Sequence, residues 1–203
     1  MPERAILPKP LQTPHPPLWV TVTSPGTELD AAERGIGCLG VAAASYAEQE
    51  RRTKEYHRRT QSCTPVGAVN QRVVTLNFLY CHEDARQAIA TGLHMLGVFS
   101  VLNANLLATR EVYPTRAYRS LGNLAPRAPG DDGSPGERRP VPEGIAIGDP
   151  RQIVDAIRHW EAIGVDGINF IVNAVEVIPQ DAVLASLRLF AREVLPHFRR
   201  PSC

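Results

Sequence analysis

Apolar and polar positions change their period several times along the chain, and each change marks a candidate element. Leu18-Trp19-Val20-Thr21-Val22 is a short β-rich run. Ser24-Pro25-Gly26-Thr27 follows at once and leads into Glu28 to Arg34, which starts like a helix: hydroxyls for caps, a proline near the first turn and acids early, with Gly35 as its stop. Ile36 to Val41 is a short apolar run suited to a buried strand, and the polar stretch Tyr46 to Arg59 reads as helix. Arg72 to Tyr80 is the longest strand candidate. A helix over Glu83 to Leu96 comes next, with helical character running on to about Leu107.

Gly144 to Gly148 then leads into Asp149-Pro150-Arg151-Gln152, where Asp149 suits an N-cap, Pro150 the first helical position and Gln152 a capping box. Ile153, Ala156, Ile157 and Trp160 recur at helical spacing and predict one buried face, ended by Gly164. Ile168 to Val172 reads as strand. A last helix begins at Asp181 with Val183, Leu184, Leu187, Phe190 and Val194 on its apolar side. About five strands alternating with helices point to βα units around a parallel sheet.

Two segments interrupt the alternation. Residues 1–17 carry prolines at 2, 8, 10, 14, 16 and 17 and predict an extended arm rather than a helix or central strand. Pro126 to Gly144 holds five prolines and four glycines, which predicts a long loop or a linker; a lid over a substrate is its functional reading and a simple insertion the competing one. The domain expected between arm and tail therefore spans 18–197, with the loop at 126–144 inside it and 198–203 as the tail. An eight-stranded α/β barrel typically needs about 250 residues. What remains outside the arm and the loop is too short for eight full units, so the chain is either a smaller doubly wound domain or part of a barrel.

Composition narrows the partners. The 203 residues carry 22 Lys+Arg against 21 Asp+Glu, a net charge of +1, which argues against a nucleic-acid surface. A 43% hydrophobic and 21% charged composition is that of a globular chain rather than a disordered one. No apolar run approaches a membrane span, and Met1-Pro2-Glu3-Arg4 does not open a signal peptide, so a cytoplasmic location is expected. Cys38, Cys63, Cys81 and Cys203 form no C-x-x-C pair, which disfavours a zinc ribbon or a disulfide framework.

Several stretches imitate chemistry and fail on detail. Cys81-His82-Glu83-Asp84 begins like a zinc-protease helix, but Arg86 stands where the second histidine belongs, so a strand end and an acidic helix start account for it. Gly35-Ile36-Gly37 with Gly40 falls in a strand and is not a dinucleotide fingerprint. The basic run Arg51, Arg52, Lys54, Arg58 and Arg59 is interleaved with Glu48, Glu50 and Glu55, as on a solvated helix face. His159, beside Trp160, reads as a surface or satisfied histidine. No metal site is expected, and no catalytic residue can be named.

The best candidate site is Thr23-Ser24-Pro25-Gly26-Thr27, at a strand-to-helix turn where backbone N–H groups can face an anion. The competing reading is that Ser and Thr there are ordinary caps.

Three stretches resemble the C-terminal portion of the luciferase-like flavin monooxygenases, a family that also holds F420-dependent reductases. They are Leu7 to Val20 continuing through Thr23-Ser24-Pro25-Gly26-Thr27 and Ala31 to Gly37; Ile147 to Ile153, similar to the family's Gly-Thr-Pro-Glu-Gln-Val segment with Asp149 for Thr; and Ser186 to Phe198. They stand in family order. The resemblance implies a (β/α)8 TIM barrel, here incomplete, of which about five C-terminal strands with their helices are present. It implies FMN, or alternatively F420, as cofactor, and monooxygenation with O2 or hydride transfer on a small organic substrate. By position it assigns the cofactor phosphate to Ser24 and Thr27 as hydroxyl ligands, with Gly26 offering backbone and Thr23 opening the loop. The N-terminal half has no counterpart, so the expected partners are a second copy or a separate N-terminal half chain. The alternatives are a non-catalytic, flavin-binding half-barrel acting as a structural partner, and a phosphate-binding isomerase or aldolase barrel, which lacks a persuasive Lys or Glu at a strand end.

Overall fold

The structure, a computed structural model, describes residues 7–24, 26–41, 45–108 and 141–198. In chain order these form β1 (Trp19–Val22), α1 (Thr27–Glu33), β2 (Gly37–Val41), α2 (Tyr46–Thr60), β3 (Val73–Cys81), α3 (Ala85–Ala108), β4 (Ala146–Gly148), α4 (Pro150–Ala162), β5 (Gly167–Ile171) and α5 (Gln180–Glu193), then a 3-10 turn at Leu195–Phe198. The expected lid falls mostly outside the described residues, as do the first residues of the arm and all but Phe198 of the tail. Within 7–17 there is neither helix nor strand, and His15 Nε2 accepts from the Ala68 N–H at 2.9 Å.

All strand pairs are parallel. β1 lies beside β2, β2 beside β3, and β5 on the other flank of β3, since Val74 is in register with both Leu39 and Gly167. β4 extends the sheet at the far end of β3, with Leu79 to Cys81 opposite Ala146 to Gly148. The chain therefore builds a row of four full strands, β1-β2-β3-β5. Among the described residues β1 pairs only with β2, and β5 only with β3.

Strand alternation and register sort the side chains into two faces. Val20, Val22, Cys38, Val73, Thr75, Asn77, Leu79 and Cys81 share the outer face. α1 and α2 cover its first part through Ala31, Ala32 and Tyr56; α4 and α5 cover the rest through Ile153, Val154, Leu189 and Phe190. Trp19, Thr21, Leu39, Val74, Leu76, Phe78 and Tyr80 share the inner face. α3 packs on only one end of it, where Ala88, Met95 and Phe99 meet Phe78, Tyr80 and Ile147. The remainder is only partly covered: Trp19 is 43% exposed and Thr21 is exposed, while Leu39, Val74 and Leu76 are half-buried.

Local signals explain most boundaries, and two expectations need correction. α1 has no hydroxyl cap. Its N-cap is Gly26 at φ 90°, which takes the left-handed turn itself, so the helix opens at Thr27 with no side-chain cap bond. At its other end the Gly35 N–H reaches the Ala32 carbonyl and the Ile36 N–H reaches that of Ala31, a Schellman closure that fits the expected stop. On α5, Leu184 is exposed rather than buried, because Val183, Ser186, Leu189 and Phe190 make up the inward stripe. Ser186 is inward for a reason: its Oγ accepts the Cys81 N–H at 2.8 Å. The α4 start behaves as expected. Asp149 Oδ1 accepts from the N–H groups of Arg151 and Gln152, at 2.9 and 3.0 Å, while Gln152 Oε1 accepts from the Asp149 N–H.

Candidate functional site

Parallel strands end together, so the loops after β1, β2, β3 and β5 rim one mouth of the sheet. The segment Thr23-Ser24-Pro25-Gly26-Thr27 is the first of them, with Pro25 outside the described residues. Within it the Thr27 N–H donates to the Ser24 carbonyl at 3.2 Å, and the Gly26 carbonyl accepts from Leu29 and Asp30 at 3.0 and 3.2 Å. Neither Ser24 nor Thr27 caps the helix, which leaves both hydroxyls free of that duty. Around Gly26 the position a β-carbon would take meets nothing within 4 Å. The loop thus offers small neutral donors and open space, which fits a phosphate group.

The first turn of α1 also carries acids, Glu28 and Asp30, which work against an anion there. Glu28 is neutralised in place: Arg52 Nε donates to its Oε1 at 2.9 Å, with the two side chains 27% and 13% exposed. Its other oxygen, Oε2, is buried without a hydrogen-bond partner. Cys38 lies in the field of this pair on the outer face. Burial first, and Glu28 second, push its thiol from 9.0 up to about 12, with Arg52 opposing. Cys81 is likewise pushed up to about 12, by burial and then by Asp149 and Glu193. These two are buried thiols without nucleophilic character at neutral pH.

The other stretches fall where their chemistry placed them. β3 ends at Cys81, and Asp84 Oδ1 caps α3 by accepting from Arg86 and Gln87 at 2.8 and 3.3 Å. Among the described residues no group of three or more His, Cys, Asp or Glu could hold a metal ion. The basic run on α2 is paired along the helix, Arg51 with Glu48, Lys54 with Glu50, Arg58 and Arg59 with Glu55. His159 is exposed and stacks on Tyr46 with ring centroids 3.6 Å apart. A cleft of about 730 Å³ opens among Asp149, Arg151, Asp155, Arg158, Arg192 and Glu193, on the helix side of the sheet and lined by charges of both signs.

Two features escaped the sequence. One is the partly covered strip of inner face made by Thr21, Leu39 and Leu76 toward the Thr23–Thr27 loop, with Trp19 and Val74 at the opposite end of the strands; alternation in the strands carries that signal once the register is known. The other is Asn77, fully buried in mid-strand, which holds the start of β4: Nδ2 donates to the Gly144 carbonyl at 2.6 Å, and Oδ1 accepts from Ala146 at 3.3 Å.

No family model matches the chain. It is 22% identical over 202 residues to the oxygenase component of a flavin-dependent trigonelline monooxygenase from Acinetobacter baylyi, covering 97% of this chain and 52% of that protein. Among solved structures it matches the monooxygenase RslO1 from Streptomyces bottropensis with a TM-score of 0.59 at 19% identity, over 95% of this chain and 51% of that one. The oxygenating constituent of 3,6-diketocamphane monooxygenase from Pseudomonas putida, in complex with FMN, matches at 0.57 and 16%, over 92% and 50%. The fold is that of the luciferase-like monooxygenases. An F420-dependent tetrahydromethanopterin reductase from Methanopyrus kandleri shares it, with a TM-score of 0.51 at 15% identity, over 90% of this chain and 51% of the reductase. The chain spans about half the length of these luciferase-like relatives, all of which are enzymes. No helix among the described residues is long and apolar enough to cross a membrane.

Proposed function

We propose that this chain is the cofactor-phosphate-bearing half of a luciferase-like oxidoreductase that uses reduced FMN, and O2, to oxygenate a small organic substrate in the cytoplasm. The observation that carries this reading is the Thr23–Thr27 loop. It sits at the mouth of the sheet, with Ser24 and Thr27 hydroxyls unused for capping and open space over Gly26. Ser24, Gly26 and Thr27 would hold the phosphate, with Thr23 at the strand end. The ring system would then lie toward the inner-face strip of Thr21, Leu39 and Leu76, a partly apolar wall that would shield one side from water. When bound, FMN supplies oxygen activation and F420 would supply hydride transfer; the loop donors suit the phosphate of either.

The strip carries no acid or base among its described residues, so the remaining groups would come from whatever packs against the inner face. The same lack favours one other reading, a half-barrel that binds flavin and serves a catalytic partner without turning over by itself.

Titration of the chain with FMN and with F420, followed by fluorescence, tests the proposal. Saturable binding is expected, weakened about tenfold or more in Ser24→Ala/Thr27→Ala by the loss of charge-assisted hydrogen bonds. Binding that ignores the double substitution would move the phosphate elsewhere.

A further inference from the structure

On the way into β1 the arm touches the body through one side chain. Residues 7–14, 16 and 17 are exposed, whereas His15 is half-buried against the loop between α2 and β3. Its Nε2 accepts from the Ala68 N–H at 2.9 Å, and its Nδ1 lies 2.8 Å from the Pro16 carbonyl oxygen. Among the described residues no other hydrogen bond joins 7–17 to the rest of the chain. The loop that receives the ring is itself fixed. The N–H groups of Thr64, Val66 and Asn70 donate to the carbonyls of Glu33, Arg34 and Gly35 at the end of α1, at 2.8, 3.1 and 2.9 Å. Ala68 stands in the same alternating row, but its partner is His15. The fit is close: a β-carbon on Gly67 would overlap Nε2.

We propose that His15 is a pH-sensitive latch: it pins the arm 7–17 to the loop before β3 while its imidazole is neutral, and releases the arm when the imidazole takes up a proton. A backbone N–H can only donate, so the bond from Ala68 requires a lone pair on Nε2. The one proton of the neutral ring then sits on Nδ1, where the Pro16 carbonyl accepts it. A second proton has to go on Nε2, which turns the acceptor into a donor and sets N–H against N–H. Turning the ring over does not restore the contact, because both nitrogens of the cation donate. The charged and titratable side chains on the surrounding elements are Lys9 of the arm, Cys63 of the loop, Glu33 and Arg34 at the end of α1, Arg59 of α2 and Arg72 before β3. Glu33, the carboxylate of that set, is paired with Arg59, and among the described residues no carboxylate stands in ion-pair contact with His15 to hold it as a cation. The latch lies before the start of β1, at the other end of the strand from Thr23–Thr27, so the inference is independent of the cofactor reading.

Amide hydrogen exchange of the full chain, read residue by residue by NMR and divided by the rate of an unstructured peptide at the same pH, tests the latch. From about pH 8 to about pH 5, the interval in which an imidazole changes its charge, the protection of Ala68 should fall about tenfold or more. Val66 and Asn70, which donate to carbonyls on either side of it, should keep theirs. The heteronuclear NOE of Leu11 and Gln12 should drop over the same interval as the arm comes free. His15→Gln offers an amide oxygen that accepts throughout, and should keep Ala68 protected at both ends of the interval. Gly67→Ala pushes the ring away and should leave Ala68 unprotected already at about pH 8, with the histidine still present. Unchanged Ala68 protection in the parent, a fall that His15→Gln reproduces, Ala68 still protected in Gly67→Ala, or arm signals that stay rigid in acid would each overturn the proposal.

Discussion

The indole Nε1 of Trp160 donates to the carbonyl oxygen of Gly144 at 2.8 Å, and both groups are buried. That carbonyl is shared with Asn77 Nδ2, so helix α4 and strand β3 hold one acceptor at the point where the chain enters β4. Asn77→Leu would remove the acceptor of the Phe78 and Ala146 N–H groups and a donor to the Gly144 carbonyl, at a cost of about 1–3 kcal/mol. Trp160→Phe removes one bond to the same acceptor and should cost less. Urea denaturation of the two variants checks the order; a larger loss for Trp160→Phe would contradict it.

Arg52 and Glu28 make a second test, since the carboxylate is the more buried partner and one of its oxygens has no hydrogen bond. Arg52→Met strands a charge and should destabilise by about 1–3 kcal/mol, while Arg52→Met/Glu28→Gln should recover most of that loss. A double variant as unstable as the single would show that Arg52 acts through packing instead.

The capping box of α4 predicts a loss of about 1 kcal/mol for Asp149→Ala. Asp149→Asn keeps an acceptor and should fall in between. Thermal melts of the three proteins decide it, and an alanine variant as stable as the parent would refute the capping role.

Cys38 and Cys81 give a pH signature. Their pKa values are raised in the fold, from 9.0 to about 12, so the folded state holds these protons more tightly than the unfolded one. The stability they contribute is fully present below pH 9 and is lost as pH rises toward 12. A Cys63→Ser/Cys203→Ser background isolates the two thiols. There, urea midpoints should fall above pH 9, and labelling by a thiol reagent at pH 8 should proceed only as fast as the protein opens. Rapid stoichiometric labelling of the folded protein at pH 8 would contradict this.

Much of the architecture is legible in the amino-acid sequence, because local chemistry decides it. The Asp149-Pro150-Arg151-Gln152 cap and the glycine stop at Gly35 are each settled within about six residues, and they stand where the sequence predicts them. Charge interleaving on α2 likewise announces its ion pairs. What stays hidden depends on distant contacts. The outward turn of Leu184 follows from Ser186 being needed at the Cys81 N–H, a partner over a hundred residues away. α3 has no charge after Arg86 and its polar residues, such as Thr91, His94 and Ser100, mark no single polar face, so its placement over Phe78 and Tyr80 on the inner face is not inferable from periodicity. At the candidate site, the hydroxyls of Ser24 and Thr27 are visible as residues, but a cap and a ligand site look alike until Gly26 is found in the capping position.

The most direct test of the phosphate assignment compares FMN with riboflavin, which carries the same ring system without the phosphate, on the parent chain and on Ser24→Ala/Thr27→Ala. The account predicts that FMN binds the parent about tenfold or more tightly than riboflavin, and that the double substitution removes most of that difference while leaving riboflavin affinity unchanged. Equal affinity of the parent for the two ligands, or an advantage of FMN that survives the substitutions, would contradict it.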